Sequence, residues 1–228
     1  MRIIAVDYGK SKCGYAIGEL FVSESGTVKK TEILNKILDF DLVVVGLPIS
    51  MSGNYSTQSF ETIRFALRIL DKGKEVRFID ERLTTKMAKI FSKKDDDRFS
   101  AEQLLLEYIQ NPHVAKQLKR SKVVNEEDER NGINADFALI INVPFSNFFK
   151  VKFGIAYTED PYIAYTMFVN NIFVYRVFSD FVDSIKSTEK IPECIIINKE
   201  SKELLSLSLL DSYRKSIKIA EFNVVKIS

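Results

Sequence analysis

Residues 41–47, DLVVVGL, form a continuous β-branched run, apolar after Asp41 and bounded by Pro48. The run is shorter than an ordinary helix and rich in β-branched residues, so it predicts a strand. A strand with no polar position has no face to give to water. It must lie inside a sheet that is covered on both sides and at least partly parallel, which places the chain in the α/β class.

The surrounding sequence supplies the rest of such a sheet. Ile3 to Val6 reads as a buried strand leaving into Asp7-Tyr8-Gly9, and residues 13–17, CGYAI, return as a hairpin partner. Thr27 to Lys30 reads as a third, more exposed strand after the turn at Gly26, and Ile33, Leu34, Ile37 and Leu38 fall at helical spacing. Phe60, Ile63, Ala66, Leu67 and Leu70 mark an amphipathic helix over 57–70, which Gly73 stops. Val76 to Ile79 is a further strand, leading into Asp80-Glu81-Arg82. Leu83 to Phe91 reads as a helix, Lys93 to Arg98 as a charged loop, and Ser100 to Gln110 as a helix closed by Pro112. The order is β-β-β-α-β-α-β-α: a hairpin meander followed by crossovers, hence a mixed sheet flanked by helices.

At ~150 residues per domain, 228 residues allow one large domain or two small ones. The division falls at Lys116 to Asn134, a polar stretch centred on Glu126-Glu127-Asp128-Glu129-Arg130 and read as a linker. Beyond it, Phe137–Val143, Phe149–Tyr157 and Tyr162–Val169 read as strands. Val174–Ile185 follows as a helix, Glu193–Ile197 as a strand, Leu204–Tyr213 as a helix and Ile217–Ile227 as a last strand. The expected organisation is therefore 1–115, a linker over 116–134, and a second α+β domain over 135–228. The second half shows nearly the order of the first, and Phe153-Gly154-Ile155-Ala156 echoes Cys13-Gly14-Tyr15-Ala16. It reads as a degenerate copy of the first half without its acids, making the chain a monomer with an internal pseudo-dimer. Chance order in an α+β domain is the competing explanation.

Composition narrows the chemistry. Lys and Arg number 33 and Asp and Glu 31, a net charge of +2, so no field of the whole chain advertises nucleic acid. One histidine, His113, excludes a zinc site built on several histidines, and a metal here takes oxygen ligands, which points to Mg²⁺ or Mn²⁺. Cys13 and Cys194 cannot make a disulfide scaffold and read as reduced thiols. No apolar run reaches the ~20 residues that span a membrane, and Asp7 interrupts the N-terminus before a signal-peptide core forms. The expected location is the cytoplasm, with no membrane partner.

Two acids leave strands at the edge where open α/β sheets bind ligands: Asp7 and Glu81. A third comes from the run Asp95-Asp96-Asp97. Asp97 shares the helical face of Ala101, Leu104, Leu105 and Tyr108, whereas Asp96 lines up with Ser100, Gln103 and Glu107 on a solvated face. Three converging carboxylates cannot all stay ionised without a counter-cation. Two divalent ions would supply that charge, activate water and stabilise the leaving oxygen of a phosphodiester. Taken singly, an Asp at a strand end is also an ordinary turn residue.

Residues 6–16 (VDYGKSKCGYA), 44–48 (VVGLP) with Ser52-Gly53, and 80–85 (DERLTT) with Ala88 resemble the YqgF/RuvX family, in the right order and over about residues 1–112. The resemblance implies an RNase H-like fold related to Holliday-junction resolvases. It also implies a nuclease acting on pre-16S rRNA or branched DNA, with Asp7, Glu81 and Asp97 holding Mg²⁺ or Mn²⁺. Pro48 in the Gly46-Leu47-Pro48 loop, and Thr84 and Thr85, would shape the substrate cleft. Three departures from the family stand out: Ser11-Lys12 replaces Lys-Arg, the stretch between Glu81 and Asp97 is shorter, and Ser100-Ala101 replaces Ala-Ala. Lys10 and Lys12 in the first turn are candidate phosphate contacts or a solvated turn, and Arg82 a substrate clamp or a structural ion pair. Lys116, Lys119, Arg120 and Lys122 track a nucleic-acid backbone or simply end a helix. Two other readings compete. Asp7-x-Gly9 with Gly14 also resembles the phosphate loop of actin-like ATPases, and the fold could serve as a non-catalytic nucleic-acid or ribosome-assembly adaptor.

Overall fold

The computed structural model describes residues 2–81, 96–124, 132–206 and 217–227. The chain forms two compact units, Met1–Met51 with Ser56–Leu118, and Ser52–Tyr55 with Lys119–Ser228.

The sheet of the first unit contains β1 (Ile3–Asp7), β2 (Lys12–Gly18), β3 (Val22–Lys29), β4 (Leu42–Leu47), β5 (Glu75–Asp80) and β6 (Lys116–Gln117). Their order is β3-β2-β1-β4-β5-β6. β1, β2 and β3 run antiparallel as a meander, β1–β4 and β4–β5 are parallel, and β6 closes the edge antiparallel to β5. This is the RNase H-like mixed sheet expected from the sequence. β4 is its centre, and all six of its residues are buried, as its lack of a polar position requires.

Helices α1 (Ile33–Ile37) and α2 (Thr57–Leu70) make the two crossovers, and α3 (Asp96–Gln110) lies across β1 and β2. α3 buries Ala101, Leu104, Leu105 and Tyr108 against Ile3, Ala5, Ala16, Leu42, Val44 and Ile79, the face that helical spacing assigned to it. Each large aliphatic side chain buried there contributes ~1.5–3 kcal/mol. α2 starts with a capping box in which Ser56 and Ser59 satisfy each other's backbone N–H. The segment read as a helix over Leu83–Phe91 lies outside the described residues.

The second unit carries β7 (Arg120–Val124), β8 (Ile133–Ile141), β9 (Phe149–Tyr157), β10 (Phe173–Tyr175), β11 (Cys194–Asn198) and β12 (Lys218–Ile227), in the order β10-β9-β8-β11-β12-β7. This repeats the spatial order of the first sheet but not its strand directions. β8–β9 and β9–β10 are parallel where the first unit has antiparallel pairs, and β8–β11 and β11–β12 are parallel too. Only β7 runs antiparallel, against β12. A copy of the first unit would keep its hairpin meander, so the expected duplication is corrected to a mostly parallel sheet with one antiparallel edge strand.

The parallel pairing of β9 with β10 follows from one misread segment. Tyr162–Val169, expected as a strand, is part of helix α4 (Pro161–Val169). Asp160 caps it by accepting from the Ile163 N–H, and Pro161 takes the first helical position. An Asp-Pro start outweighs the β-favouring aromatic and branched residues that follow. The helix expected over Val174–Ile185 divides into β10 and α5 (Phe178–Lys186). The helix expected over Leu204–Tyr213 appears as a 3₁₀ segment, Lys199–Ser206, its remainder lying outside the described residues. The expected linker is also shorter: its first part forms β6 and β7, and Ile133 already belongs to β8. The basic stretch Lys116–Lys122 is therefore strand and connection, not a helix end.

Candidate active site

Asp7 is the last residue of β1. Its neighbour on β2 is Gly14, paired with it in register. Its neighbour on β4 is Gly46, one step past the Val6–Val45 pair. Paired residues in adjacent strands point to the same face. The row Gly14–Asp7–Gly46 therefore continues the α3-facing surface built by Ala5, Ala16 and Val44.

Gly46 leaves room for the Glu81 carboxyl, and Gly14 leaves room for the backbone of α3 at Asp97. A Cβ on Gly46 would stand 2.5 Å from Glu81 Oε1 and 2.9 Å from Leu104 Cδ1. A Cβ on Gly14 would run into the backbone carbonyl of Asp97. The carboxylate of Asp97 turns toward the β1 exit, with Oδ1 3.8 Å from where a Cβ of Gly9 would stand. Glu81 thus stands at the Gly46 position beside Asp7, and the first turn of α3 stands at the Gly14 position on the other side.

Their charges are felt. Burial pushes the Glu81 carboxyl up to about 8, and the negative charges of Asp7 and then Asp80 push in the same direction. Burial also raises the neighbouring Cys13 thiol to about 11; a Gly9 backbone hydrogen bond and Lys30 oppose the rise, and Asp7 and Asp97 add to it. That thiol is inert at neutral pH. Among the described residues no three His, Cys, Asp or Glu side chains are drawn closely enough to grip a metal ion. The donor set still suits a hard divalent cation. It is all carboxylate oxygen, and a cation would offset the burial and the neighbouring negative charge that together raise the Glu81 pKa.

Around the acids, Tyr8 stacks on Phe65 of α2 with ring centroids 4.1 Å apart, and its carbonyl accepts from Gln58 Nε2 at 2.9 Å. Lys30 sits over the same ring at 4.4 Å and pairs with Glu61 at 3.2 Å. Lys10 and Lys12 are exposed in the first turn. Pro48 is half-buried, and its carbonyl accepts from the Ser59 hydroxyl. Arg82, Thr84 and Thr85 lie outside the described residues. His113 is exposed. Sequence reasoning missed the slot role of Gly14 and Gly46 and the charge of Asp80 beside Glu81. The glycines themselves were visible; their alignment with Asp7 depends on strand register.

Residues 1–111 match the family described as "RuvX: Holliday junction resolvase". A Thermotoga maritima protein named "Putative pre-16S rRNA nuclease" is 32% identical over 215 residues, covering 90% of this chain and 94% of the relative. A Rickettsia canadensis protein of the same name is 35% identical over 105 residues, 40% of this chain and 68% of the relative. "Ribonuclease YqgF" of Deinococcus radiodurans is 29% identical over 113 residues, 45% of this chain and 83% of the relative. The Thermotoga match extends well beyond the first unit, where the two shorter ones cover less than half of this chain. On the strength of these matches, the chain belongs to the RuvX family.

Proposed function

We propose that this chain is a divalent-cation-dependent nuclease acting on structured RNA, with the 5′ end of a 16S rRNA precursor as substrate. The names of its relatives support the reaction class and the RNA, and the Holliday-junction description makes branched DNA the alternative substrate. The observation that carries the reading is the row Gly14–Asp7–Gly46. A sheet gives up two side chains beside one acid; the Glu81 carboxyl fills one of the spaces and the backbone of Asp97 the other.

Asp7, Glu81 and Asp97 would hold Mg²⁺ or Mn²⁺, which when bound polarises a phosphoryl oxygen and lowers the pKa of water. Asp7 stands at the centre of the row and anchors the site to the rigid end of β1. Glu81, brought in from the end of β5, carries a proton at neutral pH until opposite charge replaces it. Asp97 opens α3 and couples the site to the core through Ala101 and Leu104. Pro48, Thr84 and Thr85 would flank the strand to be cut, with Lys10, Lys12 and Arg82 meeting its phosphates.

Asp7→Asn tests this. The variant should keep the fold and melting temperature. Its loss of cleavage of a hairpin RNA carrying the 16S 5′ leader should exceed the ~10–100-fold typical of losing an outer-shell partner. An Asp7→Asn protein with full Mn²⁺-dependent cleavage overturns the assignment. Cleavage of a four-way DNA junction in place of the RNA would leave the acids and change the substrate.

A further inference from the structure

The register of the first meander places two lysines on the face that carries Asp7. Lys12 opens β2 and Lys29 closes β3, and the two are direct partners in the antiparallel pair. Gly14, two residues after Lys12, pairs with Asp7 on one side and with Thr27 on the other. Side chains alternate along a strand, so Lys12, Gly14, Asp7, Thr27 and Lys29 all belong to the α3-facing surface. Ser25, four residues before Lys29, shows the same face of β3: its hydroxyl donates to Glu102 of α3 at 2.5 Å. The first turn of α3 stands at the Gly14 position, and the lysines lie one row before it, where both are exposed. A row is two residues, about 7 Å along the strands. Gly9 joins the rows: a Cβ there would run into the Lys12 carbonyl and stand 3.8 Å from Asp97 Oδ1.

Like charges directly opposite in an antiparallel pair repel and destabilise it. Lys30 is committed elsewhere, to Glu61 at 3.2 Å and over the Tyr8 ring at 4.4 Å. Lys12 and Lys29 form no ion pair among the described residues. A local rule broken beside a site is where a chain gives up stability for function. A net charge of +2 offers a polyanion little long-range attraction, and the acids repel it, so cations set beside them must draw the substrate in. We propose that Lys29 joins Lys12 in a two-lysine clamp for a backbone phosphate flanking the one that is cut. Its part in cleavage rests on the nuclease reading; the clamp itself rests on register and charge. An anion between two ammonium groups turns their repulsion into attraction. It presents no base edge, so the clamp is indifferent to sequence.

The test measures binding without cleavage. Fluorescence anisotropy follows the full chain with the 16S-leader hairpin, in EDTA, as salt rises. Lys29→Ala should weaken binding about fivefold, the upper range for an exposed charge pair. Combining Lys12→Ala with Lys29→Ala should reduce the steepness of log K against log salt by about one, as for one lost phosphate contact. Lys29→Arg should keep both affinity and slope. Lys72→Ala, at an exposed position between α2 and β5, should change neither. Lys29→Glu should bind more weakly than Lys29→Ala yet melt no lower than the wild type, because it sets opposite charges face to face. A fall in melting temperature together with affinity in Lys29→Glu marks a structural role and overturns the clamp. So does wild-type affinity and slope in the double variant, or a wild type that binds no hairpin. Mn²⁺-dependent cleavage is scored separately. Its absence in a wild type that binds through the two lysines ends the nuclease reading and upholds the clamp as a site for RNA phosphate.

Discussion

At the scale of single residues, Glu81 shows what the site does to an acid. Its folded pKa is raised from 4.5 to about 8, chiefly by burial. The folded state therefore binds a proton that the unfolded chain releases. The stability attached to that proton is fully present below pH 4.5 and gone above about pH 8. Between those limits it declines by ~1.4 kcal/mol per pH unit. In EDTA, the urea midpoint should fall steadily from pH 5 to 8, and Glu81→Gln should flatten that slope. A wild-type midpoint indifferent to pH would show that Glu81 is not held in this environment. Gly46 belongs to the same account: the space it leaves is where the Glu81 carboxyl sits.

Elements carry the site by their ends. α2 begins where two hydroxyls do several jobs: Ser56 and Ser59 form the capping box, and Ser59 also bonds the Pro48 carbonyl. Ser59→Ala should lower stability by ~1 kcal/mol, the usual loss for a helix cap, read by chemical denaturation with the m-value unchanged. Element ends also divide what the sequence disclosed from what it hid. The 57–70 helix and the face of α3 were legible because period and apolar content agreed, and Asp97 was picked out of three aspartates by that phase alone. α4 was misread because Tyr162, Ile163, Tyr165 and Val169 look like strand residues, while the decisive signal was the Asp160-Pro161 start. β6 and β7 went unseen because their strands are short and lysine-rich, with no alternation to mark them. The Gly14–Asp7–Gly46 row could not be read from the sequence because pairing register is a property of the folded sheet, not of any one segment.

Across the whole molecule, the two units differ in how their sheets are wound, although both place one strand antiparallel at an edge. The three candidate acids all lie within the first unit, and the described part of the second contributes packing around Phe137, Leu139, Phe181 and Ile195. The hydrogen-bond partners of Asn54, namely Arg176, Val177 and Asp180, come 122, 123 and 126 residues later in the chain. On the ribosome, strands and acids of the amino-terminal half emerge and can pair while the loop beyond Pro48 still lacks its anchor. Such distant closure is slow relative to local pairing. In refolding with pulsed amide labelling, the Arg176 and Val177 N–H groups should gain protection in the last phase, after those of β1 and β4. Nascent protein would thus carry its carboxylates early, while the 52–55 segment takes these hydrogen bonds only once synthesis has passed Asp180.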